Sequence, residues 1–233
     1  MNIAIILAGG IGSRMGIKDM PKQFIDVYGK PILVHTLESF DSNMNIDSIC
    51  IVTLKDYIEE VNILLRKFEI NKVKWVIEGG SNRQESTLKG LQAIEKDCKE
   101  DDIIVIHDSV RPLISQRIID DNIKSAKEFG AVDTVIHTSD TIIRSIDNQS
   151  IDSVPIRKEL FLGQTPQSFK FSIIKEAHEC AIKNKIEDAT DDCQLVLKMN
   201  KKIQLVLGEK LNFKITSFDD LAMLKALIKI GNV

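Results

Sequence analysis

The sequence lacks the features that mark secreted, membrane-bound and nucleic-acid-binding proteins. Four cysteines are scattered without a Cys-x-x-Cys pair, which favours free thiols in a reducing cytosol over disulfides or a zinc site: Cys50, Cys98, Cys180 and Cys193. No apolar run approaches the length of a membrane span, and no cationic leader with a cleavage site opens the chain. A formal net charge of -3 offers neither a polybasic membrane segment nor a basic face for nucleic acid. We therefore expect a cytoplasmic protein without membrane or nucleic-acid partners.

Apolar residues recur along the chain at two alternating periods. Hydrophobic residues make up 43% of the 233 residues, which is enough for one α/β domain over residues 1–233. Short apolar runs predict strands at residues 3–8, 46–52, 73–77, 103–106 and 203–208. Helical spacing predicts helices at residues 32–40, 57–68, 87–94, 118–129, 171–183, 187–199 and 219–230. This alternation predicts a Rossmann-like, mostly parallel sheet flanked by helices.

The first predicted strand runs directly into a glycine-rich turn. Glycine lets backbone N–H groups surround an anion, and two cations, Arg14 and Lys22, follow within reach. The spacing of Gly9, Gly10 and Gly12 fits neither the dinucleotide fingerprint nor the P-loop. A nucleoside triphosphate site is the functional interpretation. A tight strand-to-helix turn with surface cations is the structural alternative.

Polar residues also follow the third predicted strand, in the run Glu78-Gly79-Gly80-Ser81-Asn82-Arg83-Gln84-Glu85-Ser86. Glycines at the carboxyl end of a strand, ahead of a helix, place N–H groups and a hydroxyl near the first loop. We interpret this run as a recognition element for a base and its ribose. Capping of the helix by Ser81 or Asn82 explains the same residues without a ligand.

A third polar group follows the buried strand at residues 103–106, in the run His107-Asp108-Ser109-Val110-Arg111-Pro112. Ligands of open α/β sheets collect at this end of the strands, and a carboxylate such as Asp108 suits Mg²⁺. The alternative is an ion pair between Asp108 and Arg111 that caps a turn. We expect His107 to orient its neighbours rather than to transfer protons.

Residues 130–144 have strand composition, and the run Asp147-Asn148-Gln149-Ser150 is typical of a turn. The chain resumes at residue 151 and returns through residue 169, so we predict a projecting β-arm at residues 137–170. An arm of this length exposes apolar residues unless another surface covers it. The arm therefore favours a homodimer.

The acidic run Glu187-Asp188-Ala189-Thr190-Asp191-Asp192 opens the helix that is predicted to end at Met199. Thr190 or Asp191 is a suitable N-cap, and carboxylates at this position are favoured by the helix dipole. A metal site is the alternative use of these acids. Capping is the interpretation that we prefer.

Taken in order, these motifs resemble the cytidylyltransferases that join CTP to a polyol phosphate, a family whose members act on ribitol 5-phosphate or on 2-C-methyl-D-erythritol 4-phosphate. The resemblance covers essentially the whole chain. It implies three catalytic cations: Arg14, Lys22 and Lys214. It implies CTP-binding residues at Leu7, Ala8, Gly9, Gly10, Gly12, Gly80, Arg83, Ser86 and Asp108, with Mg²⁺ on Asp108. It implies an acceptor site formed by Arg111, Thr141, Arg157 and Thr165, with an arm that reaches the other subunit.

The implied reaction transfers CMP from CTP to a small polyol phosphate and releases pyrophosphate. Ribitol 5-phosphate is the predicted acceptor, because the residues around Asp108 and the run Pro155-Ile156-Arg157 resemble the ribitol group. The product is then CDP-ribitol for teichoic acid or capsule polymers, whereas the methylerythritol acceptor leads to isoprenoids. Many relatives carry a second acidic metal ligand where this chain has Leu211. A non-catalytic nucleotide-binding protein is the alternative from another functional class.

Overall fold

The structure is a computed structural model, and it describes residues 1–10, 20–187 and 189–231. Its strands are β1 (Asn2–Ala8), β2 (Asp26–Val27), β3 (Lys30–Pro31), β4 (Ser48–Thr53), β5 (Val73–Glu78), β6 (Ile103–Asp108), β7 (Ala131–His137), β8 (Phe161–Lys170) and β9 (Gln204–Leu207). Its α-helices are α1 (Ile32–Asp41), α2 (Ile58–Lys67), α3 (Arg83–Ile94), α4 (Gln116–Phe129), α5 (Phe171–Lys183), α6 (Asp192–Lys198) and α7 (Phe218–Lys229). In these ranges no helix is long and apolar enough to cross a membrane.

Most strands belong to one large sheet with the order β5-β4-β1-β6-β8-β7-β9, while β2 and β3 form a small hairpin. Neighbouring strands in the large sheet are parallel, except that β8 runs antiparallel to both β6 and β7. The predicted fold class, a mostly parallel sheet flanked by helices, is confirmed.

Helices cover both faces of the sheet, because the central strands are apolar on both sides. In β1, Ala4 and Ile6 belong to a core cluster with side chains of α1, α2 and α4. Ile3 and Ile5 belong to a second cluster with side chains of α3, α5 and α6. Successive side chains of a strand point to opposite faces, so one continuous apolar run supplies both cores.

The pairing register brings the carboxyl ends of the parallel strands to one edge of the sheet. Ala8 is aligned with Thr53, Thr53 with Glu78, and Leu7 with Asp108. The polar segments that follow these strands are therefore neighbours in space, although they are distant in sequence. We call this the carboxyl edge.

Helix α3 is longer than predicted. It begins at Arg83 rather than at Thr87. Asn82 caps it, since its side-chain oxygen accepts a hydrogen bond from the backbone N–H of Glu85 at 2.8 Å. Residues 83–86 are all polar, so apolar periodicity gives no signal for the first turn.

The predicted β-arm at residues 137–170 extends too far at its C-terminal end. His137 ends β7, and Phe161–Lys170 is β8, a strand inside the large sheet. The excursion is limited to residues 138–160, which we call the arm. In the described chain one isolated bridge, between Arg144 and Ser153, joins the two sides of the arm.

The reason for this error is the composition of β8. Its buried residues include four polar ones, Gln164, Thr165, Gln167 and Ser168, which do not resemble a core strand. Each is satisfied by hydrogen bonds inside the protein, so burial carries no unpaired polar group.

Candidate active site

The segment that carries Lys22 is tied to the end of β1. Gln23 is buried, and its Nε2 donates a hydrogen bond to the carbonyl of Ala8 at 2.5 Å. Phe24 is also buried, and its ring stacks on Tyr57 with a centroid distance of 4.5 Å. The two residues after Lys22 therefore fix its backbone beside the glycine-rich turn.

The loop before α3 folds back over the first turn of that helix. The backbone N–H of Gly80 donates to Ser86 Oγ at 3.0 Å, and that of Ser81 donates to Glu85 Oε2 at 2.7 Å. A Cβ on Gly80 would lie 2.4 Å from the Glu85 side chain, so the close approach requires glycine. Ser86 Oγ in turn donates to the carbonyl of Asn82 at 2.8 Å. Gly80 and Ser86 thus shape this loop, and the helix cap at Asn82 coexists with them.

Asp108, at the end of β6, is surrounded by three cations from three parts of the chain. Its Oδ2 lies 3.0 Å from Lys214 Nζ and 3.5 Å from Arg111 Nε. Its Oδ1 lies 4.0 Å from Arg83 Nε. Burial opposes ionisation of this carboxyl, but Lys214, Arg83 and Arg111 outweigh it and hold the pKa of Asp108 well below its usual range. Asp108 is therefore a fixed anion around which the cations are arranged.

The backbone holds two of these cations in place. Ile215, which is fully buried, follows Lys214 and donates its N–H to the carbonyl of Val110 at 2.9 Å. Arg111 Nη1 donates to the carbonyl of Asn212 at 2.8 Å. The side chain of Arg111 is 11% exposed, so most of its surface contacts protein. Both cations are anchored by the fold itself.

Beneath Asp108, a histidine and a threonine form a hydrogen-bonded chain. The N–H of Asp108 donates to Thr165 Oγ1 at 3.1 Å, and Thr165 Oγ1 lies 3.0 Å from His107 Nδ1. His107 Nε2 lies 3.1 Å from the carbonyl of Arg111, which only accepts, so Nε2 carries the hydrogen and Nδ1 accepts from Thr165. Burial lowers the pKa of His107 to about 4, which makes the ring neutral at pH 7. In this geometry His107 orients the backbone around Asp108.

These segments enclose a cavity of about 360 Å³ at the carboxyl edge. Nine of the predicted residues line it: Leu7, Gly9, Gly10, Lys22, Gly80, Arg83, Ser86, Asp108 and Lys214. Three of these are cations and one is a carboxylate, so the described lining has a surplus of positive charge that suits a polyphosphate. Ala8 is buried behind the lining. Gly12 and Arg14, predicted for the same loop, lie outside the described residues.

The arm residues predicted for the acceptor site lie elsewhere. Thr141 and Arg157 are exposed, and neither belongs to the cavity lining in the described part of the chain. Arg157 Nη1 donates to the carbonyl of Ser139 at 3.3 Å, within the arm. Arg111 and Thr165, the other two predicted acceptor residues, lie under Asp108. The assignment of these four residues to an acceptor stays a prediction.

Asp192 is a residue of the site that the sequence did not indicate. Asp191 caps α6, as predicted, and accepts a hydrogen bond from the N–H of Gln194 at 2.8 Å. Asp192 is instead buried, with its Oδ2 2.7 Å from Arg83 Nη1. Burial opposes the charged form of Arg83, but Asp192 and Asp108 outweigh it and raise the pKa of Arg83. Acidic residues are common in the first turn of a helix, where the helix dipole favours them. Nothing in the sequence therefore indicated that Asp192 is buried.

One side chain at the cavity, that of Asp108, is suited to bind a magnesium ion. Among residues 1–10, 20–187 and 189–231, no group of three or more His, Cys, Asp and Glu side chains could hold a metal. Asp108 Oδ2 is bonded to Lys214, whereas Oδ1 lies beyond hydrogen-bond distance of Arg83 Nε. Mg²⁺ is commonly held by one or two carboxylates together with substrate phosphates and water. Asp108 Oδ1 thus fits an ion that arrives with a nucleotide.

Comparisons with known proteins agree with this geometry. The family model described as IspD: 2-C-methyl-D-erythritol 4-phosphate cytidylyltransferase matches residues 2–230. The ribitol-5-phosphate cytidylyltransferase of Streptococcus agalactiae serotype III (strain NEM316) is 41% identical over 227 residues, which are 97% of this chain and 95% of that protein. The 4-diphosphocytidyl-2C-methyl-D-erythritol synthase structure from Anaerococcus prevotii DSM 20548 is similar with a TM-score of 0.86 at 28% identity, covering 98% of this chain and 96% of that one. The 2-C-methyl-D-erythritol 4-phosphate cytidylyltransferase from Francisella tularensis gives a TM-score of 0.81 at 28% identity, with 96% and 97% covered.

Proposed function

Because the chain belongs to the 2-C-methyl-D-erythritol 4-phosphate cytidylyltransferase family, it is a cytidylyltransferase, and we propose that its acceptor is ribitol 5-phosphate. The proposed reaction transfers CMP from CTP to ribitol 5-phosphate and gives CDP-ribitol and pyrophosphate, for teichoic acid or capsule polymers. One observation carries the choice of acceptor. The chain is 41% identical to a ribitol enzyme over nearly its full length, against 28% for the methylerythritol structures from Anaerococcus and Francisella.

In the proposed complex the nucleotide occupies the cavity at the carboxyl edge. The loop around Gly80 and Arg83 receives the cytidine, and the turn at Gly9 and Gly10 receives the triphosphate. Backbone N–H groups in a glycine-rich turn bind phosphate oxygens without a side chain in the way. The surplus of cations in the described lining supports an anionic ligand here.

Transfer then proceeds by in-line displacement at the α-phosphorus of CTP. A phosphate oxygen of ribitol 5-phosphate forms the new P–O bond, and the bond to the oxygen that leads to the β-phosphorus breaks. That oxygen leaves with pyrophosphate. The attacking oxygen is already ionised near neutral pH, so a general base is not required. Catalysis rests on position and on neutralised charge.

Three cations are proposed to neutralise the charge of the phosphates, and two of them line the described cavity. Lys22 and Lys214 line the cavity, and Lys214 is anchored by Asp108 at 3.0 Å. Arg14 is the third predicted cation. Because the fold fixes Lys214 in advance, it needs little rearrangement as charge develops on the α-phosphate. Asp108 would hold Mg²⁺, which supplies Lewis-acid neutralisation of the triphosphate when bound.

The acceptor half of the site is proposed to form with a second subunit. Six aliphatic side chains of the arm are more than one-third exposed: Ile142, Ile143, Ile146, Ile151, Val154 and Ile156. Such a group is stabilised by burial against another surface, and a homodimer supplies one. Arg157 would bind the phosphate of ribitol 5-phosphate with its planar guanidinium.

The proposed compartment is the cytoplasm. The four cysteines are free thiols, which is the state expected in a reducing environment.

Pyrophosphate release from CTP and Mg²⁺ tests this function. Ribitol 5-phosphate and 2-C-methyl-D-erythritol 4-phosphate are compared side by side at equal concentrations. We expect higher kcat/KM with ribitol 5-phosphate and a product with the mass of CDP-ribitol. Preference for the methylerythritol substrate would overturn the acceptor and leave the cytidylyltransferase activity intact.

A further inference from the structure

Arg83 lies between two buried carboxylates, and only one of them belongs to the nucleotide cavity. Its Nη1 lies 2.7 Å from Asp192 Oδ2, and its Nε lies 4.0 Å from Asp108 Oδ1. Asp108 already has two other cationic neighbours, Lys214 and Arg111. Asp192 is therefore the carboxylate that fixes where the guanidinium sits.

Asp192 is itself held from three separate elements. His178 Nε2, on α5, lies 3.1 Å from Asp192 Oδ1, and the carboxylate only accepts, so Nε2 is the donor. The backbone N–H of Asp192 donates to Gln167 Oε1, on β8, at 3.1 Å. Thr87 Oγ1, on α3, lies 3.5 Å from Oδ2. The side chains of Asp192 and His178 are each 1% exposed, so this anchor is out of reach of solvent.

One guanidinium nitrogen of Arg83, a residue that lines the cavity, has no hydrogen-bond partner among the described residues. Its Nη2 is buried and makes no hydrogen bond to the described residues. A buried donor without a partner is costly in a folded protein, and an acceptor on a bound ligand would satisfy it. The position of this donor depends on the Nη1 contact with Asp192, because the guanidinium is planar and rigid.

We propose that Asp192 is the positioning residue for Arg83, which it holds at the wall of the nucleotide cavity and away from full pairing with Asp108. This inference rests on the proposed function, since it gives Arg83 a part in binding CTP. Without the charge of Asp192, the guanidinium moves toward the Asp108 carboxylate, the next anion within 4.0 Å. CTP then meets a displaced Arg83 and a more fully neutralised Asp108.

A double-mutant cycle tests this proposal with CTP binding as its readout. Dissociation constants for CTP are measured by calorimetry, without acceptor, in wild type, Asp192→Asn, Arg83→Gln and the double variant. We expect Asp192→Asn to weaken CTP binding about tenfold to a hundredfold, within the range of coupling between charged neighbours. The KM for ribitol 5-phosphate should change by less than about threefold, because a loss of CTP binding does not alter the residues that bind the acceptor.

Asp191→Asn is the matched control, because it removes the same charge one residue away and asparagine still caps α6. It should bind CTP like wild type to within about twofold. The double variant removes both charges of the ion pair, so we expect it to fold even if Asp192→Asn alone destabilises the protein. It should bind CTP as Arg83→Gln does.

Two results would overturn the proposal. One is wild-type CTP binding by Asp192→Asn. The other is a double variant that binds CTP markedly more weakly than Arg83→Gln, since Asp192 would then act by another route. Wild-type protein that binds CTP but releases no pyrophosphate with either acceptor would instead overturn the proposed function. The binding cycle can still be scored in that case.

Discussion

At the cavity, cations are paired with buried carboxylates, whereas along the arm apolar side chains are exposed. Asp108 has three cations within 4.0 Å, and Arg83 has a carboxylate on two sides. In the arm, Ile146 is 71% exposed and Ile151 is 64% exposed. The chain thus pairs the charges of the cavity by itself and leaves apolar side chains of the arm unpacked.

This difference suggests separate roles for the cavity and the arm in binding the nucleotide and the acceptor. In the proposed complex, nucleotide recognition uses residues at the ends of strands and helices, where the fold holds each side chain in place. Acceptor recognition is predicted to use Thr141 and Arg157, which lie in a segment with one backbone bridge in the described chain. Changes at the cavity should therefore affect chemistry and folding, whereas changes in the arm should affect acceptor binding and assembly.

The largest effect is expected at Lys22. Lys22→Ala removes a cation from the cavity, and loss of one preorganised charge lowers the rate of such reactions by roughly a hundredfold to a thousandfold. The measurement is kcat for pyrophosphate release at saturating CTP and ribitol 5-phosphate. Lys55→Ala, an exposed lysine outside the cavity lining, is the control and should stay within about twofold of wild type. Near-normal turnover by Lys22→Ala would contradict the assignment of this loop to catalysis.

A second effect, on folding, is expected from His107. Its pKa is about 4 in the folded protein against 6.5 for the free side chain, so between these values the unfolded state binds the extra proton. The contribution of His107 to the free energy of unfolding is therefore fully present above pH 6.5. It decreases by about 3 kcal/mol as the pH falls to 4.

Urea unfolding of wild type and His107→Gln from pH 7 to pH 4 measures this term. The stability advantage of wild type over the variant should fall by about 3 kcal/mol across that range. Burial raises the pKa of Asp133 to about 6, so this carboxyl also titrates in the same range. Asp133 is present in both proteins, and its effect on stability cancels in the difference between them. A constant difference between the two proteins would show that His107 titrates normally.

A third, smaller effect is expected in the arm. Arg157→Ala removes the predicted partner of the acceptor phosphate, and a charge-assisted hydrogen bond contributes about 1.5–3 kcal/mol, or roughly tenfold to a hundredfold in binding. The KM for ribitol 5-phosphate should rise by this factor, while the dissociation constant for CTP is unchanged. Lys158→Ala, the neighbouring arm cation, serves as the control. Equal KM values for wild type and Arg157→Ala would remove Arg157 from the acceptor site.

The smallest effect is expected from the apolar side chains of the arm. Ile146→Asp should weaken the dimer about tenfold, because burial of one isoleucine contributes at least roughly 1.5 kcal/mol. Sedimentation velocity over a concentration series measures the change. Met44→Asp, at a residue 92% exposed in the loop before β4, is the control. A dimer of unchanged strength, or a wild-type monomer, would exclude the arm as the interface.

The sequence predicted the elements whose signals are local. Strands β1 and β6 have uninterrupted apolar runs, and the caps at Asn82 and Asp191 were both suggested by residue type. Lys22 and Asp108 were indicated by their positions after predicted strands, and Arg83 and Lys214 by the family resemblance. Ends of neighbouring parallel strands meet at one edge, so the convergence of these loops follows from the fold class alone.

What the sequence could not show depends on contacts between distant residues. Arg83 and Asp192 form an ion pair, but each also has an ordinary local role, because each is the first residue of a helix after its cap. The place of β8 inside the sheet was hidden by its polar residues, whose partners are on other strands and helices. A single sequence contains no record of these pairings.

The reversed direction of β8 places both ends of the arm at the same point of the sheet. His137 pairs with Phe161 in register, and their rings lie 4.5 Å apart. A segment that leaves and re-enters a fold at adjacent residues can be lengthened, shortened or exchanged without shifting any strand. With the acceptor role proposed above, the arm would be a variable segment on a constant frame. A new acceptor could then evolve through changes in residues 138–160 alone, while the residues that line the cavity stay unchanged.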